Sequence, residues 1–140
     1  VASEPVREGD ELTWQRRVSV AEVDAFAELV GDHAAHHRPV GDRPLVVHGL
    51  LMLGFISQLS ARFDYIGREL TASFLRPCFT GELLTGRMRV QRVTPVGDLG
   101  WEVELRGEVV NEHRRRVLVA TGRGLSPYPT SDDQSRGRAR

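Results

Sequence analysis

Asp32 and His37 stand five positions apart in the run Gly31-Asp32-His33-Ala34-Ala35-His36-His37, and a histidine–glycine step, His48-Gly49, follows just ahead of an apolar stretch. A carboxylate and an imidazole held close together can move a proton and take up or release a water or hydroxyl within one site. A glycine at a helix N-terminus leaves its backbone N–H open to an oxygen that gains negative charge. Together these groups suit chemistry at the carbon beside a carbonyl, with water added or removed.

Each residue also has a plainer role. An aspartate after a glycine commonly caps a helix or begins a turn, and a lone loop histidine is most often a surface group. His33 and His37 have the i, i+4 spacing of helical zinc ligands, but their segment reads as loop and lacks the cysteine-rich pairs of structural sites. No metal is therefore assigned. Gly49 also suits close packing at the start of a helix. Ser57 lacks the Gly-x-Ser-x-Gly elbow of a nucleophile; it suits orienting a loop by hydrogen bonding, or bonding back to its own helix. Cys78, flanked by Pro77 and Phe79, reads as a packing residue.

Periodicity shows what holds these groups. Residues 11–18 alternate, with Leu12, Trp14 and Val18 on one face, as in a strand. Ser19-Val20-Ala21-Glu22 is a capping box. Val20, Val23, Phe26, Ala27 and Val30 then recur at helical spacing, and Gly31 is a natural stop. Asp32 therefore begins where a short helix ends. Residues 38–44 carry Pro39, Gly41 and Pro44 and read as loop. Residues 49–62 are apolar on nearly every side, which predicts a helix surrounded by protein. Strands are predicted over 70–76, 83–93, 101–111 and 115–125. In the third, Trp101, Val103, Leu105 and Val109 oppose Glu102, Glu104, Arg106 and Glu108, the period-two pattern of a sheet with one buried face. The class is α+β: an antiparallel sheet wrapped around one long apolar central helix. Residues 1–10 read as a loose segment, 11–125 as a single domain, and 126–140, rich in Ser, Pro, Asp and Arg, as a disordered tail.

A chain of 140 residues fits one domain. Its formal net charge of zero argues against a broad footprint for nucleic acid or a membrane surface. All 19 basic residues are arginine, a bias for which a GC-rich genome is the first explanation; some of these guanidiniums also suit the phosphates of coenzyme A or of a phosphopantetheine arm. Cys78 is the only cysteine, so no intrachain disulfide can form, which fits a reducing cytoplasm. No apolar run is long enough to span a bilayer.

The same segments resemble the MaoC-like family, the (R)-specific enoyl-CoA hydratases and related dehydratases of the hotdog fold. Gly31, Asp32 and His37 fall on its Gly-Asp-x-Asn-Pro-x-His motif, and His48-Gly49 on its histidine–glycine step. Ser57 matches a serine two turns into the central helix. Phe74-Leu75-Arg76-Pro77, with Gly81-Glu82-Leu83-Leu84, is similar to the later Phe-x-x-Pro and Gly-Asp-x-Leu stretch. The likeness runs from Leu12 to Leu125. Ala34-Ala35 stand where the family has Asn-Pro, and the connection from His37 to His48 is shorter than usual.

The resemblance implies an Asp32/His37 acid–base dyad, an oxyanion hole at the N–H of Gly49, and supporting roles for His48 and Ser57. The reaction it implies interconverts (R)-3-hydroxyacyl and trans-2-enoyl thioesters, linked to CoA or an acyl carrier protein. No metal or redox cofactor is needed, since the thioester carrier belongs to the substrate, and a homodimer is expected. A hotdog acyl thioesterase and a non-catalytic acyl-binding hotdog subunit are the alternatives.

Overall fold

The computed structural model describes residues 6–127. Strand β1 (Glu11–Arg17) leads into helix α1 (Val20–Val30), and helix α2 (Gly49–Ser60) follows the loop that carries the candidate residues. Four strands complete the chain: β2 (Ile66–Phe74), β3 (Leu83–Pro95), β4 (Trp101–Val110) and β5 (Arg116–Ser126). They form one antiparallel sheet in the order β1-β3-β4-β5-β2.

The β4 alternation does what its pattern predicts. Val103, Leu105 and Val109 are buried against α2, while Glu104 pairs across to Arg123 on the outer face. Helix α2 lies close over the centre of the sheet at Gly107, where a Cβ would stand 3.2 Å from Ile56 Cγ2. Met52, Ile56 and Leu59 fill the space between helix and sheet with Leu84, Met88, Val90 and Leu118.

Three expectations need correction. The central helix is short, not long: twelve α-helical residues, then a three-residue 3-10 turn at Ala61–Phe63. Asp64, left-handed at φ 54°, ends it there. Nor is it enclosed, for Leu50 is 64% exposed and Gly54, Ser57 and Gln58 also face outward. Its all-round apolarity therefore exceeds what this chain covers. Finally, the segment expected to be loose is anchored over residues 6–10. Val6 is buried, Gly9 N–H bonds to the Val90 carbonyl at 2.8 Å, and Val90 N–H to that of Asp10 at 2.9 Å. One apolar side chain in a core cleft, plus ladder bonds to β3, holds a stretch whose composition is otherwise polar.

At the other end β5 runs through Ser126, whose buried hydroxyl donates to the Phe63 carbonyl at 2.7 Å. The rest of the expected tail, beyond residue 127, lies outside the described residues. Among the described residues no helix is long and apolar enough to cross a membrane.

Candidate active site

Helix α1 delivers the first group. Its N-terminus is closed by the reciprocal Ser19–Glu22 capping box, and Arg16 pairs with Glu22 from β1. Gly31 ends the helix in the left-handed conformation, φ 79°, with its N–H on the Ala27 carbonyl. An L side chain there would be strained. The turn sets Asp32 just past the helix end, where Oδ1 accepts the Ala34 N–H at 3.3 Å.

The chain then forms a 3-10 turn over Ala35–His37 that the sequence does not signal. This turn folds His37 inward until it is only 6% exposed. The ring is tied down by Val46: His37 Nδ1–H donates to the Val46 carbonyl at 2.7 Å, while Val46 N–H donates to the His36 carbonyl at 3.0 Å. Val47 in turn donates to the Cys78 carbonyl, and Leu45 and Thr80 bond reciprocally. Segment 45–47 thus pins the candidate loop to the Pro77–Thr80 stretch. With Nδ1–H committed to a carbonyl, the basic lone pair of a neutral His37 lies on Nε2. That atom stands 3.7 Å from Asp32 Oδ2.

His48 occupies the N-cap of α2 but does not cap it. Its ring lies between Phe26, edge-on at 4.9 Å between centroids, and His37, stacked at 3.6 Å. His48 Nε2–H donates to the Asp32 backbone carbonyl at 3.1 Å and lies 3.9 Å from Asp32 Oδ2. Its Nδ1 is buried without a partner among the described residues. His48 therefore holds the backbone of the residue that carries the carboxylate, a supporting geometry. His36 continues the column, its ring 3.9 Å from that of His37 and open to solvent.

The ligating atoms of Asp32, His37 and His48 all fall within 4.8 Å of one another. The two imidazole planes differ by only 16° with their centroids 3.6 Å apart, so the lone pairs lie in two near-parallel stacked planes, a poor arrangement for tetrahedral ligation of one ion. Nδ1 of His37 and Nε2 of His48 are also engaged by carbonyls. This donor set suits proton transfer.

Gly49 is the first residue of α2, so its N–H has no intrahelical acceptor. The free N–H groups and the positive end of the helix dipole meet a cavity of about 380 Å³, walled by His36, His37, Gly49, Phe74, Arg76 and Cys78 among others. Burial, with Glu82 nearby, pushes the Cys78 thiol up to about 12, so it is no thiolate nucleophile. Ser57 is not brought to the pair. It lies eight residues along α2, about 12 Å at 1.5 Å per residue. Its hydroxyl bonds the Gly54 carbonyl at 2.5 Å, and it lines a second, larger cavity between α2 and β2.

Three contributors were not singled out from sequence for this site: Phe26, Val46 and Phe74. Phe74 lay within a recognised motif, but no sequence signal marks the Val46 carbonyl as the group that fixes the His37 tautomer.

No protein-family model and no curated protein sequence matches the chain. Solved structures do. The (R)-hydratase from A. caviae involved in PHA biosynthesis is 21% identical, with a TM-score of 0.76 over 89% of this chain and 100% of that one. The MaoC-like dehydratase from Rhodospirillum rubrum is 18% identical, with a TM-score of 0.63 over 86% and 92%. The HadBC (3R-hydroxyacyl-ACP dehydratase) complex from Mycobacterium tuberculosis is 16% identical, with a TM-score of 0.70 over 85% and 96%. The fold shared with these structures is the hotdog fold.

Proposed function

We propose that this chain is a MaoC-like hydratase or dehydratase that interconverts (R)-3-hydroxyacyl and trans-2-enoyl thioesters carried on CoA or an acyl carrier protein. The observation that carries the reading is the Asp32 carboxylate facing His37 Nε2 at 3.7 Å, beside an N-terminus of α2 that no side chain caps. In the dehydrating direction the thioester carbonyl accepts the Gly49 N–H, which stabilises the enolate-like charge that develops as C2 loses its proton. His37 Nε2 takes that proton, its ring held in register by the Val46 carbonyl. The C3 hydroxyl, held by the Asp32 carboxylate, leaves as water by taking up the proton that His37 removed from C2, so the pair ends in the protonation state in which it began. Hydration runs the same steps backwards. His48 keeps Asp32 in place through its backbone carbonyl. The reaction needs no metal or redox cofactor.

A homodimer accompanies this reading. Strand β2 is a sheet edge whose Ile66, Leu70 and Phe74 are half or more exposed, an unpaired edge of the kind that pairs with a second copy. The single cysteine, buried and free, fits a cytoplasmic setting.

The test is mass spectrometry of crotonyl-CoA incubated with the protein. The expected product has gained one water. Free CoA would favour the thioesterase alternative, and unchanged substrate the non-catalytic subunit.

A further inference from the structure

The ring of Phe74 lies directly on the backbone of Gly49: a Cβ built at Gly49 would stand 2.6 Å from both Cδ1 and Cε1 of Phe74. The ring and the first N–H of α2 therefore share one wall of the cavity that His37 also lines. From this we infer that Phe74 is a specificity-determining residue that excludes acyl groups branched at C2, an inference that rests on the thioester hydratase reading.

The argument is one of bonds and space. A carbonyl oxygen held by the Gly49 N–H puts C2 one bond beyond the carbonyl carbon. C2 must also face His37 for its proton to be exchanged, which leaves its other substituent directed at the aromatic wall. Hydrogen fits there, whereas a methyl group requires the ring to move. The main chain gives little freedom for that movement. Phe74 is paired with Leu118 in the ladder, and the next residue, Leu75, donates its N–H to the Val117 carbonyl at 2.9 Å. Relief must come from side-chain rotation away from Gly49, at the cost of that contact. Phe74 offers no polar atom to the reaction, so its effect is steric.

The experiment compares kcat/KM for crotonyl-CoA and (E)-2-methylcrotonyl-CoA in the starting protein, Phe74→Leu and Phe74→Ala. Intrinsic reactivity differences between the substrates cancel when their ratio is compared across variants. Excluding one methyl is commonly worth 10- to 200-fold. The ratio is therefore expected to move toward the branched substrate by at least about 10-fold in Phe74→Ala and by less in Phe74→Leu. Phe74 is half exposed in the single chain and lies on the edge proposed to pair with a second copy, so the oligomeric state of each variant is read alongside, and Phe74→Leu alone reads the same ratio if the alanine variant does not fold or assemble. An unmoved ratio with crotonyl-CoA still hydrated would overturn this inference and leave the hydratase reading standing. A starting protein that adds no water to crotonyl-CoA would overturn both.

Discussion

Asp32→Asn should separate catalysis from stability. The Asp32 side chain is 51% exposed, and its Oδ1 accepts one long bond, from Ala34 N–H at 3.3 Å, which an asparagine oxygen keeps. Exposed substitutions of this kind stay within about 0.5 kcal/mol of the starting stability. Loss of the titrating carboxylate should nevertheless lower enoyl-thioester hydration by at least about 100-fold, or roughly 2.7 kcal/mol of transition-state stabilisation. His37→Gln should lose both. Its ring is stacked on His48 and in tilted contact with His36, and its Nδ1–H is a 2.7 Å donor to the Val46 carbonyl. Removing that donor costs about 1–3 kcal/mol, or several degrees of melting temperature in a domain of this size. Because the two groups act on one substrate as a unit, the double variant should be only slightly slower than the worse single one. The assay is initial-rate hydration of crotonyl-CoA with thermal melts on the same preparations, and His33→Gln is the control. Full turnover by Asp32→Asn, with activity lost in His33→Gln, would refute the assignment of the dyad.

Three further outcomes follow from the packing. Gly49→Ala should fold with some loss of stability, because Phe74 makes room for the new methyl only by rotating its side chain and giving up its contact with Gly49. The displaced ring and the methyl should together obstruct the helix N-terminus, lowering turnover by about 100-fold, comparable to losing one oxyanion donor; unchanged kcat would place that hole elsewhere. Cys78 should resist iodoacetamide at pH 8 in the folded protein and react on unfolding. Its folded thiol titrates near 12 against an ordinary 9.0, so the unfolded chain ionises first and stability should fall as pH rises between those values; rapid native labelling would contradict this burial. Val6→Ala should cost about 2 kcal/mol in a denaturant titration, since the side chain is 1% exposed in the core; no change would mean that residues 6–10 are held by their ladder bonds alone.

What was legible in the sequence was local. The Ser19–Glu22 box, the apolar face of α1 and the Gly31 stop depend on residues within one or two turns of each other, and α1 has the expected bounds. The β4 alternation was equally plain, because one face of a central strand is buried and the other wet. The sequence marks β2 only from Leu70, whereas the strand starts at Ile66. On this sheet edge all four residues of 66–69 are exposed, whichever face they lie on, so no period-two signal marks them. The spacing of Asp32, His37, His48 and Gly49 also pointed to a site, since Asp32 follows the end of α1 while His48 and Gly49 open α2.

The tertiary structure decided how those groups meet. His48 reaches the Asp32 carbonyl across 16 residues, and Phe74 reaches Gly49 across 25. The Val46 carbonyl orients His37 through a backbone atom that every residue type possesses. Ser57, in the right helix by sequence, is carried to a different cavity by the rise of that helix. The apolar composition of α2 likewise says that its faces are fit for burial, but not which of them this chain covers. Side-chain type and spacing restrict the chemistry a segment can perform; distance and direction arise only when separate segments pack, through contacts that leave no period in the chain.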